Sequence, residues 1–525
     1  MDSTGAEPTT VLHVVAMPFP CQGHINALMS LCKLLSSRKH DLLITFVVTE
    51  EWLRCIGSEP KPDNIRFASI PTVIERAKTV DFGGFNEVVK TKMEAPFEQL
   101  LDRLEPPVAR IIADFELQWS FGVGIRRNIP LASLWTMSAS FFSSLHHYHV
   151  FAQAQPQLLP LHLTVKRRPK LKSRHKECVE KAIEYAKMIE DWDDLVDPRT
   201  LAFYCLGPNP SAFVLRNIEI EEKKNQGEEH VDNILGISSN HLEDLRTVFH
   251  ENDPRGMEMV MESISKGSEA QYLLINSVYE LEPQAFDTLK AIFHFPVYPI
   301  GPAIRYMEFE LEHGSLITTT SDNNRDYLKW LDSQSAGSIL YISLGSFFVL
   351  TDTQMDEFAA ALRNSGVRFF WVARGEASRL KESCGDTGLV VPWCDQLRVL
   401  CHPSIGGFWS HCGWNSTQEA VYAGIPILSF PLFLDQVPNS RQIVEDWKIG
   451  WRVKRAQVGS EILVTKEDIL ELVQRFMELE NCERKKTSKR ARELKNMCHQ
   501  AITEGGSSHS HLDAFVSDFL EVKNH

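Results

Sequence analysis

Apolar residues in this chain fall into short unbroken runs, separated by stretches in which they recur every three or four positions. Val11 to Met17 is the first run and predicts a buried strand. Pro18 to Gly23 (PFPCQG) follows as a turn. Ile25, Leu28, Met29, Leu31, Leu34 and Leu35 then keep helical spacing, so a helix is expected to about Ser37, with a second strand over Leu42 to Val48. Val108 to Ala113 runs into Asp114, and Pro130 to Trp135 runs into Thr136. The pattern returns later, with a helix beginning over Tyr327 to Trp330, strands at Ser338 to Leu344 and Val367 to Val372, and a helix at Gln354 to Arg363 between them. Strands alternating with helices imply parallel sheets covered by helices. The expected fold class is α/β, with two Rossmann-like parallel-sheet domains. Polar, Thr/Ser-rich Tyr306 to Asn324 reads as the loop between them.

One segment, Trp393 to Gln436, concentrates the chemistry. Ile405 to Ser410 predicts a strand, His411-Cys412-Gly413-Trp414 a turn, and Ser416 to Ala423 a helix ended by Gly424 with Pro426 beyond. A helix start after a glycine-containing turn exposes backbone N–H groups at the positive end of the helix dipole, which suits a pyrophosphate. His411 and Ser416 add donors there. Ser416-Thr417-Gln418-Glu419 also has the form of a capping box, so Ser416 and Glu419 are open to a purely structural reading. Trp393 offers a ring for stacking on a flat base, although a lone tryptophan is more often core or surface decoration. Asp435-Gln436, after the apolar run Ile425 to Leu434, is suited to several sugar hydroxyls or to an ordinary turn.

In parallel sheets ligands bind beyond the carboxyl ends of the strands. His24, Asp114 and Thr136 all fall at such ends, although 90 positions separate the first two. An imidazole beside a carboxylate is a general base held in one tautomer; alone, a histidine in such a loop is usually a structural residue.

Composition narrows the classes. The chain has 525 residues, enough for two or three domains, and its net charge of −14 argues against a nucleic-acid partner. No run approaches the ~20 apolar residues of a membrane span, and the first residues, MDSTGAEPTT, lack the basic start of a secretory signal. Eleven cysteines without framework spacing fit a cytoplasmic protein with reduced thiols. Cys401-His402 and His411-Cys412 match no common zinc spacing, so no metal is expected.

The segment Trp393 to Gln436 resembles the signature box of plant family-1 UDP-glycosyltransferases, matching at Trp393, Gln396, His402, Gly407, Phe408, His411, Cys412, Gly413, Trp414, Asn415, Ser416, Glu419, Gly424, Pro426, Pro431, Asp435 and Gln436. Cys394-Asp395 departs from the usual Ala-Pro. Gly23-His24-Ile25-Asn26 resembles the family's catalytic loop, with Ala27 in place of proline, and Asp114, Trp135-Thr136 and Gly345-Ser346 also match. The resemblance implies the two-lobed GT-B fold: an acceptor-binding domain over 1–304, whose exit Val297 to Pro302 (VYPIGP) also resembles the family's; a linker at 305–325; a donor-binding domain over 326–508; and a last helix within 509–525 crossing back to the first domain. It implies His24 as base, Asp114 as its activator, and Thr136 reaching the donor sugar. Trp393 would stack on uracil and Glu419 would bind the ribose. His411, Asn415 and Ser416 would hold the diphosphate, with Gly345 and Ser346 near it. Asp435 and Gln436 would hold the sugar, Gln436 leaning toward glucose, and Gln396 and Trp414 join the donor-binding set. Residues 157–227 are atypical, with basic Val165 to Lys176 and an amphipathic helical pattern over Lys176 to Trp192. The stretch reads as a surface insertion or a gene-model error, and its basic run alternatively as a nuclear address or a docking patch.

The resemblance implies an inverting enzyme: glucose moves from UDP-glucose, a co-substrate used without a cofactor, to a hydroxyl or carboxyl of a small plant metabolite, by a monomer. A UDP-sugar epimerase and a non-catalytic UDP-sugar-binding protein are the alternatives.

Overall fold

The computed structural model describes residues 11–72, 82–154, 262–304, 326–345, 350–432, 434–453 and 463–521. Ser346, the atypical stretch 157–227 and the expected linker 305–325 lie outside them.

Two parallel sheets organise these residues. The first has seven strands, β1 (Leu12–Met17), β2 (Leu42–Thr49), β3 (Ile65–Ile70), β4 (Arg110–Asp114), β5 (Leu131–Trp135), β6 (Tyr272–Ile275) and β7 (Val297–Pro299), in the order β3-β2-β1-β4-β5-β6-β7. The second has six, β8 (Ile339–Ser343), β9 (Arg368–Val372), β10 (Gly388–Val391), β11 (Ile405–Ser410), β12 (Ile427–Ser429) and β13 (Gly450–Arg452), in the order β10-β9-β8-β11-β12-β13. Both are the doubly wound arrangement expected from the alternating pattern.

The unbroken apolar runs follow from burial on both faces. Along β1, Val14 and Ala16 pack into one core and Val15 and Met17 into another. Along β8, Ile339 and Tyr341 face one core and Leu340 and Ile342 the opposite one. The end of the chain ties the lobes together. Helix Ser507–Phe515, with its continuation Val516–Leu520, places Leu512, Phe515, Phe519 and Leu520 in the core beside β1, β2 and β7. Arg110 Nε donates to the Phe519 carbonyl at 2.9 Å.

Each sheet changes direction once, between β1 and β4 in the first and between β8 and β11 in the second. A crevice opens at such a switch point, beyond the carboxyl ends of the flanking strands. The two crevices face each other: Asn415, after β11, donates to the Gly23 carbonyl, after β1, at 2.7 Å. Arg374, after β9, reaches Gln22 at 3.0 Å.

Candidate active site

His24 does not lie in a loop, as the Pro18–Gly23 turn implied, but in the first turn of helix α1 (Gln22–Arg38). No polar side chain caps this helix at Cys21, which removes the usual sequence mark of a helix start. Ala27 continues the helix, where proline would lack the backbone donor.

The first switch point brings the three separated residues together. His24 Nδ1 lies 2.7 Å from Asp114 Oδ2 and 3.0 Å from Thr136 Oγ1. Asp114 closes β4 and is 1% exposed; its other oxygen, Oδ1, accepts from the Glu116 backbone N–H at 3.0 Å. With the carboxylate accepting from Nδ1–H, the lone pair of the imidazole sits on Nε2. Burial disfavours the charged ring, but the Asp114 carboxylate outweighs it, aided by Glu116 and Asp435, so the His24 pKa is raised. Desolvation, then the Asp114 charge, pushes Glu116 up to about 7.

The second switch point carries the other residues. Helix Trp414–Ala423 begins two positions before the expected Ser416, because Gly413 occupies its N-cap without a side-chain bond. The capping-box reading is therefore corrected. Ser416 is the third helical residue; it and Glu419 instead accept from Gln396 Nε2 at 2.8 and 2.7 Å. Gln396 Oε1 accepts from Tyr341 OH at 3.0 Å, a contact no local pattern announced. The first-turn amides of this helix have no intrahelical partner and point toward the cleft end of the sheet.

His411 packs between two glycines. A Cβ on Gly345, whose φ is +92°, would come within 2.9 Å of the ring, and one on Gly413 within 2.5 Å. Burial holds His411 down at about 4, so it is neutral at physiological pH. Asp435 directly precedes helix Gln436–Arg441 and accepts from Asn439 Nδ2 at 2.8 Å. Desolvation raises its pKa to about 6, against the pull of Asn439 and His24. Asn439 also donates to the Cys412 carbonyl at 3.0 Å, tying the His411 turn to Asp435. Gln436 Oε1 accepts from the Leu432 backbone.

Two expected donor contacts are placed differently. The Trp414 ring is buried in the second lobe's core and its indole N–H bonds the Asn276 carbonyl at 2.6 Å. It braces the lobes, leaving only its backbone amide for the donor side. Both ends of the Asn415 amide engage the first lobe, Nδ2 at Gly23 and Oδ1 at Asn276 Nδ2 (3.2 Å). Asn276 follows β6 at the same sheet edge as the expected residues, which is the signal that could have found it.

Trp393 is 46% exposed, in the segment after β10. The departure at Cys394-Asp395 has a local account: Asp395 caps helix Gln396–Leu400, accepting from Arg398 N at 3.2 Å. Among the described residues no group of three or more His, Cys, Asp or Glu side chains is placed to hold a metal ion, and no helix is long and apolar enough to cross a membrane.

A family profile described as "UDP-glucoronosyl and UDP-glucosyl transferase" matches residues 292–479, and one described as "Glycosyltransferase, N-terminal domain" matches residues 10–58. The chain is similar to UDP-glycosyltransferase 87A1 of Arabidopsis thaliana, with 40% identity over 96% of this chain and 100% of the relative. It is equally similar to UDP-glycosyltransferase 87A2 of the same plant, with 40% identity over 98% of each chain. Among solved structures, Phytolacca americana UGT2, complexed with UDP-2fluoro-glucose and pterostilbene, aligns with TM-score 0.67 and 24% identity over 97% of this chain and 99% of that one. Medicago truncatula UGT71G1, complexed with UDP-glucose, aligns with TM-score 0.69 and 22% identity over 97% and 98%. These structural likenesses show the shared two-lobed GT-B fold. Matched end to end by relatives at 40% identity, the chain belongs to the UDP-glycosyltransferase family, enzymes that take a UDP-sugar as co-substrate.

Proposed function

We propose that this chain transfers glucose from UDP-glucose to a hydroxyl or carboxyl group of a small plant metabolite, with inversion at the anomeric carbon. The observation that carries the reading is the 2.7 Å contact between His24 and Asp114 at the cleft edge of the first sheet, facing the start of helix Trp414–Ala423. Two further observations support it: the neutral His411 beside a helix start, and relatives such as the 7-deoxyloganetin glucosyltransferase of Catharanthus roseus, 28% identical over 98% of this chain.

On this reading His24 Nε2 takes the acceptor proton and Asp114 balances the imidazolium that forms. The acceptor oxygen attacks the anomeric carbon from the side opposite UDP, so an α-linked donor yields a β-glycoside. Charge growing on the departing diphosphate is met by first-turn amides of the helix, with Ser416 and neutral His411 as donors, an electrostatic role that needs no cation. Trp393 stacks on uracil, Glu419 takes the ribose, and Asp435 with Gln436 holds the hexose, Thr136 reaching it from the first lobe.

Incubation with UDP-glucose and a plant metabolite extract, followed by mass spectrometry, tests the reading. A new hexoside is expected. A sugar isomer formed from the donor alone indicates an epimerase, and binding without turnover indicates a sensor.

Two further outcomes follow. Trp393→Ala should weaken UDP binding by about 1–3 kcal/mol, the range for one base stacked on an aromatic ring. The ring is exposed, so the fold should persist; unchanged affinity by calorimetry removes the stacking role. The base must be neutral to act, and its pKa is raised above the ordinary 6.5, so turnover should climb with pH through that higher value and level off on the alkaline side. Asp435 accepts from hydroxyls best when ionised, which adds a further loss below about 6. A rate profile that falls as pH rises through this window contradicts the assignment.

A further inference from the structure

Glu282 is a carboxylate only 3% exposed, lodged between the lobes. It follows β6 and faces four neutral donors. Its oxygens accept from the backbone N–H groups of Ala139 (3.0 Å) and Ser140 (2.9 Å), from the Ser277 hydroxyl, and from Gln442 Nε2 across the lobe boundary at 3.1 Å. A buried polar group costs several kcal/mol unless it is fully bonded, and two first-turn amides of the helix that starts at Ala139 supply half of these bonds.

Capping alone does not account for it. Ser138 already caps helix Ala139–Ala154, its hydroxyl accepting from Phe141 N at 3.1 Å. What Glu282 adds is a connection. On one side, the segment it pins begins three residues after Thr136, whose hydroxyl touches His24. On the other, Gln442 directly follows helix Gln436–Arg441, which opens at Asp435-Gln436. Neighbouring contacts reinforce the joint: Trp447 Nε1 donates to the Leu281 carbonyl at 3.1 Å, and Gln418 Nε2 to the Asn276 carbonyl at 2.5 Å.

We infer that Glu282 is a positioning residue that holds the base-bearing edge of the first lobe in register with the hexose-binding segment of the second, through Ala139 and Ser140 on one side and Gln442 on the other. The inference rests on the reading above, in which Asp435 and Gln436 grip the sugar. Occupation of that grip steadies helix Gln436–Arg441 and the Gln442 amide after it, and Glu282 passes the constraint to the Thr136 segment.

Hydrogen exchange on the full-length chain tests this without knowledge of the acceptor. Saturating UDP-glucose should slow exchange of the Ala139 and Ser140 amides by about tenfold, within the ordinary range for coupling between two sites. Gln442→Met keeps the volume and removes the cross-lobe bond. It should abolish that slowing while the affinity for UDP, measured by calorimetry, stays as in the wild type. Glu282→Gln, which turns an amide donor toward donors, should abolish it as well. A purely structural glutamate would leave the slowing intact in Gln442→Met, and that result overturns the inference alone. Failure of the wild-type chain to bind UDP-glucose overturns the underlying functional reading and the inference with it.

Discussion

Replacing His24 by alanine should lower turnover at least ~100-fold, the low end for loss of a general base, while UDP affinity is retained. The imidazole belongs to α1 in the first lobe, whereas the proposed nucleotide grip is built on the second, from Trp393, Gln396, Ser416 and Glu419. Removing the ring leaves that grip unaltered. The ring packs beside Phe19, with centroids 5.2 Å apart, so His24→Gln serves as a bulkier control that also lacks a competent base. Steady-state rates and UDP calorimetry on both variants make the check. Turnover unchanged in either removes His24 from the chemistry, and a parallel loss of UDP binding assigns it to the donor site instead.

Asp114→Asn should cost on the order of 10⁴-fold, the scale seen when the carboxylate behind a catalytic histidine becomes an amide. The reason lies in its second bond. Oδ1 accepts from the Glu116 backbone N–H at 3.0 Å, so the new amide must keep its oxygen there and turn its nitrogen toward His24. An N–H aimed at Nδ1 forces the ring's proton onto Nε2, and the lone pair no longer faces the acceptor. The carboxylate's charge also disappears, so the acidic limb of any remaining activity should move to lower pH. A variant that keeps wild-type turnover would reduce Asp114 to a structural partner.

Much of this architecture is legible in the residue pattern, for identifiable reasons. Strands of a parallel sheet are buried on both faces, so β1, β4, β5, β8 and β11 appear as unbroken apolar runs, and the observed ends fall within two residues of the expected ones. His24, Asp114 and Thr136 stand directly beyond such runs, and the switch-point rule is enough to bring them to one edge. Helix starts were less legible. Cys21 and Gly413 cap their helices without a side-chain bond, so α1 begins inside the expected Pro18–Gly23 turn and the later helix two residues before Ser416, which with Glu419 imitates a cap that is not formed. Apart from the strand end at Asn276, the joint between the lobes left no local mark. Asn276, Glu282, Asn439 and Gln442 acquire their roles from partners 27 to 160 positions away, a property of tertiary packing. The Trp414 ring is the same case in reverse: a signature residue whose side chain serves the core.

The account depends on a single displacement, with the base on one lobe and the leaving group on the other. The configuration of the new glycosidic bond tests this most directly, read by proton NMR on the hexoside formed from UDP-glucose under initial-rate conditions. A β-linked product from the α-linked donor is the predicted result; an α-linked product would mean a different path, and would contradict the proposed placement of His24 opposite the departing diphosphate.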